Sequence, residues 1–540
     1  MARSLRGASL ILASGTLASR LLGFVRAVVL AQALGVTASA GADAFAVANQ
    51  LPNNIYAIVA GGVFSATLVP AIVKSAVHDD GGRAYVNKLM TAALSLMVIT
   101  TLLATVLAPF LVNIYATGWS REQLALATAF AYICLPQIFF YALYALLGEI
   151  LNGRNVFGPF TWAPVANNVI AIAGLSVFLI LFGADSTGTR LVTDWSPTMV
   201  WILAGSATLG VAVQSLLLFF FWKKIGLSFR LDFAWRRVGL GETGRMASWT
   251  FGMLLLTQVA GLVETNVSAL ASGVGASVFA LQTAWLVFML PHSVITVSLA
   301  TAYFTRMSAH AAKNDHAALA GDAEESIRRV VLFMTWAMVA LVSVAIPFST
   351  LFATTFTGVT QLGWVIVATA IGLPAFSVLF LVQRVFYSLG DGRTPFFITL
   401  YQAVVFSALV LMCAWLPREI LAIGVASTLS AVGITQTVLA LILLRRRMPM
   451  LVVRPLIKTS LKGLAAGAVS LVVGIASASL LGAFVNGGFA VSNTAFGILS
   501  TAVIGAAVSV VFVGVLWLLR TRELGDLLPA NLRRGGISDK

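Results

Sequence analysis

The chain has 540 residues, 59% of them hydrophobic and only 10% charged, with a mean hydropathy of +0.96. A soluble domain carries about 25% charged residues, so this composition excludes a soluble globular protein. The net charge of +15 does not signal nucleic acid, because the basic residues collect in loops between apolar runs.

Those runs are near 20 residues each, long enough to cross a hydrocarbon core of roughly 30 Å. In chain order they predict fourteen spans, at 8–32, 42–74, 89–115, 123–152, 160–183, 198–222, 246–271, 277–305, 330–353, 361–390, 396–415, 420–444, 463–482 and 494–519. The expected fold class is an all-α polytopic membrane protein. With the N-terminus inside, the outer loops hold only Arg121, Arg190 and Arg418. The inner segments hold Lys223, Lys224, Arg236 and Arg237, then Arg445, Arg446 and Arg447, then Arg520, Arg522, Arg533, Arg534 and Lys540. This asymmetry follows the positive-inside rule and predicts cytoplasmic termini, with some contact to anionic lipid. Arg3, Arg6 and the downstream Ala38-Ser39-Ala40 imitate a signal peptide, but Arg20 and Arg26 interrupt the apolar run. An uncleaved first span is expected.

The first span carries Gly15, Ser19, Gly23, Ala27 and Ala31 at every fourth position, a small-residue seam where another helix backbone can approach. Arg20 lies about 18 Å along the helix from Ala8, near mid-membrane, and Arg26 stands about 120° round the helix from it, able to address the same cavity from another height.

An internal repeat organises the rest. Leu51-Pro52, Pro109-Phe110, Leu135-Pro136 and Gly153-Arg154 recur as Leu290-Pro291, Pro347-Phe348, Leu373-Pro374 and Gly392-Arg393, displaced by 238 or 239 positions. The period covers six spans, so both copies cross the membrane in the same direction, and transporter sites typically lie between such bundles. Two six-helix lobes related by this parallel repeat are expected, at 1–225 and 226–450, joined by a basic linker at 223–245. Residues 451–540 supply two further helices and a basic tail. The prolines inside spans free carbonyls and bend helices, which at membrane depth requires burial in protein or a cavity wall.

Six ionisable residues fall at depth: Arg20, Arg26, Asp43, Glu149, Glu264 and Arg384. An intramembrane charge is a functional hypothesis by default, although structural ion pairs would also account for them. Two arginines on one helix with a single nearby acid leave positive charge unmatched. Since the guanidinium fork suits phosphate, an anionic ligand such as a diphosphate is expected. Asp43 is placed either to pair with Arg26 or to gate the outer mouth. Glu264, among Thr265 and Asn266, suits Na⁺ or a proton and is the candidate coupling residue. Glu149 and Arg384 are candidate structural or gating residues, with snorkelling as the simpler account. Cys134 and Cys413 fall in apolar spans and the four histidines lack ligand spacing, so no disulfide framework or metal site is expected. No phosphate-cradling loop, helical histidine pair or Ser/His/Asp set occurs. A transporter rather than an enzyme follows, with no cofactor beyond a coupled ion.

The run Ser19-Arg20-Leu21-Leu22-Gly23-Phe24-Val25-Arg26, with Asp43-Ala44-Phe45, Leu51-Pro52-Asn53, Phe64-Ser65 and Val69-Pro70, resembles the signature of the MurJ (MviN) lipid II flippases of the MOP exporter superfamily. The resemblance extends to Ala271-Ser272-Gly273, Leu290-Pro291, Phe386-Tyr387 and Asp391-Gly392-Arg393-Thr394-Pro395, and covers most of 1–450. It implies a bacterial plasma-membrane protein that flips a lipid-linked peptidoglycan precursor to the outer leaflet by alternating access. The lipid tail would follow a groove made by the last two spans, and cell-wall synthesis proteins would be further partners. Arg20, Arg26 and Asp43 match family positions, and Ser19 and Asn53, inside the matching motifs, join them as expected substrate-binding residues. Tyr56 and Ala57 stand where well-studied members carry basic residues, Ala27 replaces an acid, and Trp285-Leu286-Val287-Phe288 lacks the family's arginine. The alternatives are export of another polyprenyl-diphosphate glycan, cation-coupled drug export, which would favour acidic cavity residues, or a membrane scaffold for cell-wall enzymes.

Overall fold

The structure is a computed structural model that describes residues 2–75, 83–154, 156, 158–225, 230–233, 244–521 and 523. Most of the basic linker, with Arg236 and Arg237, and the tail residues Arg522, Arg533, Arg534 and Lys540 lie outside the described residues. Among the described residues the chain is helical, without strands. Twelve stretches there are long and apolar enough to cross a membrane. The other two expected spans, at 42–74 and 246–271, are helices of 36 and 26 residues, Ala40–Ser75 and Gly244–Ala269. Every expected span therefore has its helix.

The helices form two compact units: Met1–Phe279 with Pro417–Glu419, and Ala280–Leu416 with Ile420–Lys540. The boundary expected from the repeat, at 225/226, and the boundary in packing, at 279/280, lie one helix apart.

The first unit contains α1 (Ala2–Leu34), α2 (Ala40–Ser75), α3 (Arg83–Val106), α4 (Ala108–Tyr115), α5 (Arg121–Cys134), α6 (Gln137–Gly153), α7 (Gly158–Phe182), α8 (Pro197–Leu216) and α9 (Gly244–Ala269). The small-residue seam of α1 packs on α7. A Cβ on Gly15 would stand 2.8 Å from Thr161 Cγ2, and Asn168 Nδ2 donates to the Ser19 carbonyl at 2.9 Å. Helices α5 and α6 are one span broken at Leu135-Pro136. The backbone freed there is served from α8, where the Thr208 hydroxyl donates to the Ile133 carbonyl at 2.8 Å.

The second unit contains α10 (Val278–Pro291) from Ala280 on, its first two residues belonging to the first unit, then α11 (Val297–Ala312), α12 (His316–Ser349), α13 (Phe356–Ala370), α14 (Leu373–Ser388), α15 (Arg393–Cys413), α16 (Leu421–Arg447), α17 (Val453–Leu480) and α18 (Thr494–Leu518). A π-helical turn, His292–Thr296, follows Pro291. Helices α13 and α14 repeat the break of α5 and α6, with Pro374 in the first turn of α14. Here Ser430 on α16 serves both sides: its hydroxyl accepts from Gly372 N at 3.0 Å and donates to the Ala368 carbonyl at 2.6 Å. The two helices without a repeat partner, α17 and α18, pack on α12. Gly463, Gly467 and Gly474 bring α17 against Leu332, Val339 and Ser343, and Trp336 Nε1 donates to Ser509 Oγ of α18 at 3.0 Å. Small residues decide this docking, since helices in lipid gain from close backbone approach and not from apolar burial alone.

Candidate functional site

The six intramembrane charges do not form ion pairs with one another among the described residues. Arg20 is half-buried and, among the described residues, makes no hydrogen bond or ion pair. It lines an open pocket of about 510 Å³ bordered by α1, α6 and α7, with Thr16, Ser19, Tyr144, Asn152 and Thr161 as further polar wall. Arg26 is also half-buried but does not line this cavity. Six residues of helical rotation separate the two side chains on α1. Its electrostatic neighbours are Tyr141 and Cys134, at the α5–α6 break. There the Tyr141 hydroxyl donates to Gln137 Oε1 at 3.1 Å, while Gln137 Nε2 donates to Thr208 Oγ1 at 2.9 Å and Asn49 Oδ1 at 3.3 Å.

Asp43 is buried and committed elsewhere than Arg26. Its Oδ2 accepts from the Ser272 hydroxyl at 2.7 Å and its Oδ1 from the Phe279 backbone N–H at 2.9 Å. The second bond falls in the first turn of α10, where unsatisfied N–H groups and the helix dipole favour a carboxylate. Around it a polar latch joins α2, α4 and α5 to the end of α9 and the turn after it. Gln123 Nε2 donates to Ser272 Oγ at 2.8 Å and to the Ala40 carbonyl at 3.1 Å. Trp119 Nε1 donates to the Ala269 carbonyl at 2.8 Å, Asn266 Nδ2 to the Ile114 carbonyl at 2.7 Å, and Ala38 N to the Gly275 carbonyl at 2.9 Å. Of the two accounts of Asp43, pairing with Arg26 is replaced by this latch.

The other expected residues are dispersed. Asn53 is exposed on α2, while its neighbour Asn54 is buried and donates to the Tyr115 hydroxyl at 3.2 Å. Glu264 is half-buried on α9 and, among the described residues, makes no hydrogen bond or ion pair. Glu149 is exposed on α6 and interacts electrostatically with Tyr56. In the second unit the Arg384 guanidinium lies over the rings of Phe380 and Phe304, 4.8 and 5.5 Å from their centroids, a cation–π arrangement. No group of three metal-binding side chains occurs among the described residues.

Sequence reasoning did not single out Tyr144, Asn152 or Thr161 at the Arg20 cavity, or Gln137, Tyr141 and Thr208 near Arg26. The available signal was positional: Gln137 directly follows the Leu135-Pro136 break, where freed backbone calls for polar partners.

Broken spans, an internal repeat and intramembrane arginines without an acidic partner among the described residues are features of polytopic membrane transporters. Among solved structures, this chain is similar to one described as lipid II flippase MurJ in an inward closed conformation, with a TM-score of 0.71 at 20% identity over 95% of this chain and 99% of the other. It is also similar to an inward-facing multidrug resistance MATE transporter of the MOP superfamily, with a TM-score of 0.61 at 17% identity over 80% and 95%. The family model described as Lipid II flippase MurJ matches residues 30–496, and the chain belongs to that family. Relatives named probable lipid II flippase MurJ include one from Rhizobium tropici, 27% identical over 74% of this chain and 73% of its own length. Another, from Rickettsia prowazekii, is 26% identical over 73% and 76%. The family is one of transporters, not enzymes.

Proposed function

We propose that this protein moves lipid II from the cytoplasmic to the outer leaflet of a bacterial plasma membrane by alternating access, with Arg20 and Arg26 binding the diphosphate. The observation that carries this reading is that both guanidinium groups lack an acidic partner among the described residues while the nearest acid in sequence, Asp43, is held by Ser272 and Phe279. An unpaired charge at membrane depth is costly, and a scaffold for cell-wall enzymes would have no use for two of them. In the cycle, the Asp43 latch closes the outer side; its release, with α9 and the start of α10 leaving α2, opens it. Both termini face the cytoplasm. Glu264 is the coupling residue, carrying Na⁺ or a proton, and cell-wall synthesis proteins are the natural acceptors of the product.

The test is a strain whose survival depends on this protein, depleted and assayed for lipid II accessible from outside the cell. Depletion is expected to abolish exposure, and Arg20→Ala or Arg26→Ala variants that still insert are expected not to restore it. Normal exposure in both variants would remove the arginines from the mechanism. Unchanged exposure on depletion would leave export of another polyprenyl-diphosphate glycan, or a scaffold role, in its place.

A further inference from the structure

The hairpin between α11 and α12 lies beyond the apolar spans, and Lys313-Asn314-Asp315 turns the chain back, with Asn314 at φ 58°. Asparagine tolerates that left-handed conformation. Asp315 fixes the start of α12, its Oδ1 accepting from the Ala318 N–H at 3.0 Å. The turn sets the His310 imidazole between two carboxylates. Its Nδ1 is 3.9 Å from Asp315 Oδ2, and its Nε2 is 3.5 Å from Asp322 Oδ2. Asp322 is buried, and its Oδ1 accepts from the guanidinium of Arg306, which stands one turn before His310 on α11. Asp322 Oδ2 is itself buried and accepts no hydrogen bond among the described residues.

Both ring nitrogens of His310 therefore face acceptors. A neutral imidazole donates from one nitrogen and turns a lone pair on the other carboxylate, whereas the imidazolium donates from both. The charge count has the same preference. Arg306 and the imidazolium balance Asp315 and Asp322, while a neutral ring leaves a buried carboxylate oxygen without a donor, which is costly. The other charged groups nearby are exposed or engaged. Lys313 and His316 are exposed at the turn, Glu325 and Glu324 pair with Arg329 and Arg328 along α12, and Arg384 of α14 lies over Phe304. The inner end of α12 is anchored again by the ion pair of Arg328 with Glu523 at 3.5 Å, where Glu523 also accepts from the Thr459 hydroxyl of α17 at 3.1 Å. Helix α11 has a π-helical turn, His292–Thr296, at its other end, and such turns are frequent at functional sites.

We infer that His310 is a proton-binding site that locks the α11–α12 hairpin and thereby regulates transport. Protonated, it ties α11 to Asp315 and Asp322; deprotonated, it lets α11 swing on the π-helical turn while α12 stays anchored. The lock holds in acid and loosens as pH rises through the histidine range. Its control of lipid II transfer, and the cytoplasmic source of the proton, rest on the function proposed above; the lock does not.

The experiment follows amide hydrogen exchange of residues 306–322 in the full chain in lipid nanodiscs, at about pH 6 and about pH 8. Variants are compared with the parent at the same pH, so that the intrinsic pH dependence of exchange cancels. His310→Arg, charged at both values, is expected to be locked at both, and His310→Gln open at both. The parent should match His310→Arg in acid and exchange about threefold faster than it at the higher pH, the scale of a partly exposed ion pair. Asp315→Asn keeps a capping side chain on α12 but drops a charge, and should shrink this response. A parent as protected as His310→Gln at both pH values would overturn the lock, as would a His310→Arg protein no better protected than His310→Gln. In proteoliposomes with equal pH on both sides, lipid II transfer by the parent should rise with pH, and the rise should be lost in His310→Arg and His310→Gln. The same pH profile in the parent and both variants would overturn regulation through His310. A parent that transfers no lipid II at either pH removes the flippase reading and leaves the exchange result as evidence for the lock.

Discussion

Replacing Asp43 with alanine would leave the Phe279 N–H and the Ser272 hydroxyl without the acceptor they now share. A buried donor stripped of its partner costs about 1–3 kcal/mol, so Asp43→Ala is expected to lower the thermal stability of the solubilised protein by that order. Asp43→Asn keeps one acceptor oxygen and should fall between the two. An Asp43→Ala protein that unfolds at the parent temperature would show that the latch contributes nothing. Asp43, Arg20 and Arg26 were legible in the sequence because a charge inside an apolar run is rare and expensive. The partners of Asp43 were not, since Ser272 lies 229 positions away and nothing in the local pattern selects it over other hydroxyls. Tyr144 and Asn152 were invisible for the opposite reason: aromatic and amide residues near a helix end are common, and only packing makes them a wall.

Among the elements, the prolines of the repeat were legible as breaks, but the two copies respond unequally. Leu135-Pro136 and Leu373-Pro374 both interrupt a span, whereas Pro52 lies within the continuous α2 and Pro291 leads into a π-helical turn. The difference lies in what is available to satisfy the freed backbone, which proline alone does not reveal. At the α13–α14 break one hydroxyl supplements the backbone bonds on both sides. Ser430→Ala removes the partner of the Ala368 carbonyl and one of the two acceptors of Gly372 N, which keeps the Thr369 carbonyl at 3.2 Å, and is expected to destabilise the protein by roughly 1–3 kcal/mol. Thermal unfolding of the solubilised variant measures it, and a shift indistinguishable from zero would mean that the break is satisfied by other groups. The docking of α17 and α18 on α12 was only half legible. Their glycines announced close packing, but not against which helix.

For the molecule as a whole, the fourteen spans were readable from length and hydropathy, and the loops' charge asymmetry predicts their orientation. Single cysteines replacing Arg418 and Arg446 test it in intact cells. An impermeant thiol reagent is expected to label the first from outside and the second only after the membrane is opened; the opposite pattern would invert the topology. Cys134 and Cys413 are buried and should give little background. Coupling is a property of the full cycle and is tested at the same scale. In proteoliposomes, Glu264→Gln is expected to abolish stimulation of lipid II transfer by an imposed Na⁺ or proton gradient while leaving gradient-free transfer measurable. Retained stimulation would excuse Glu264 from coupling. The departure of α9 from the repeat boundary was not legible, because the repeat records ancestry along the chain while packing follows the hydrogen bonds of Trp119, Gln123 and Asp43 to its far end.

The contact of α1 with α7 also fixes degrees of freedom. Gly15, Ser19 and Gly23 hold α1 on α7 through Thr161 and Asn168, on the same stretch that carries Arg20. With the backbones this close, α1 cannot slide or roll by a turn without expelling those side chains. Kinematically the pair is one lever: the arginines have no travel of their own, and any stroke that changes their height must carry α7 with it.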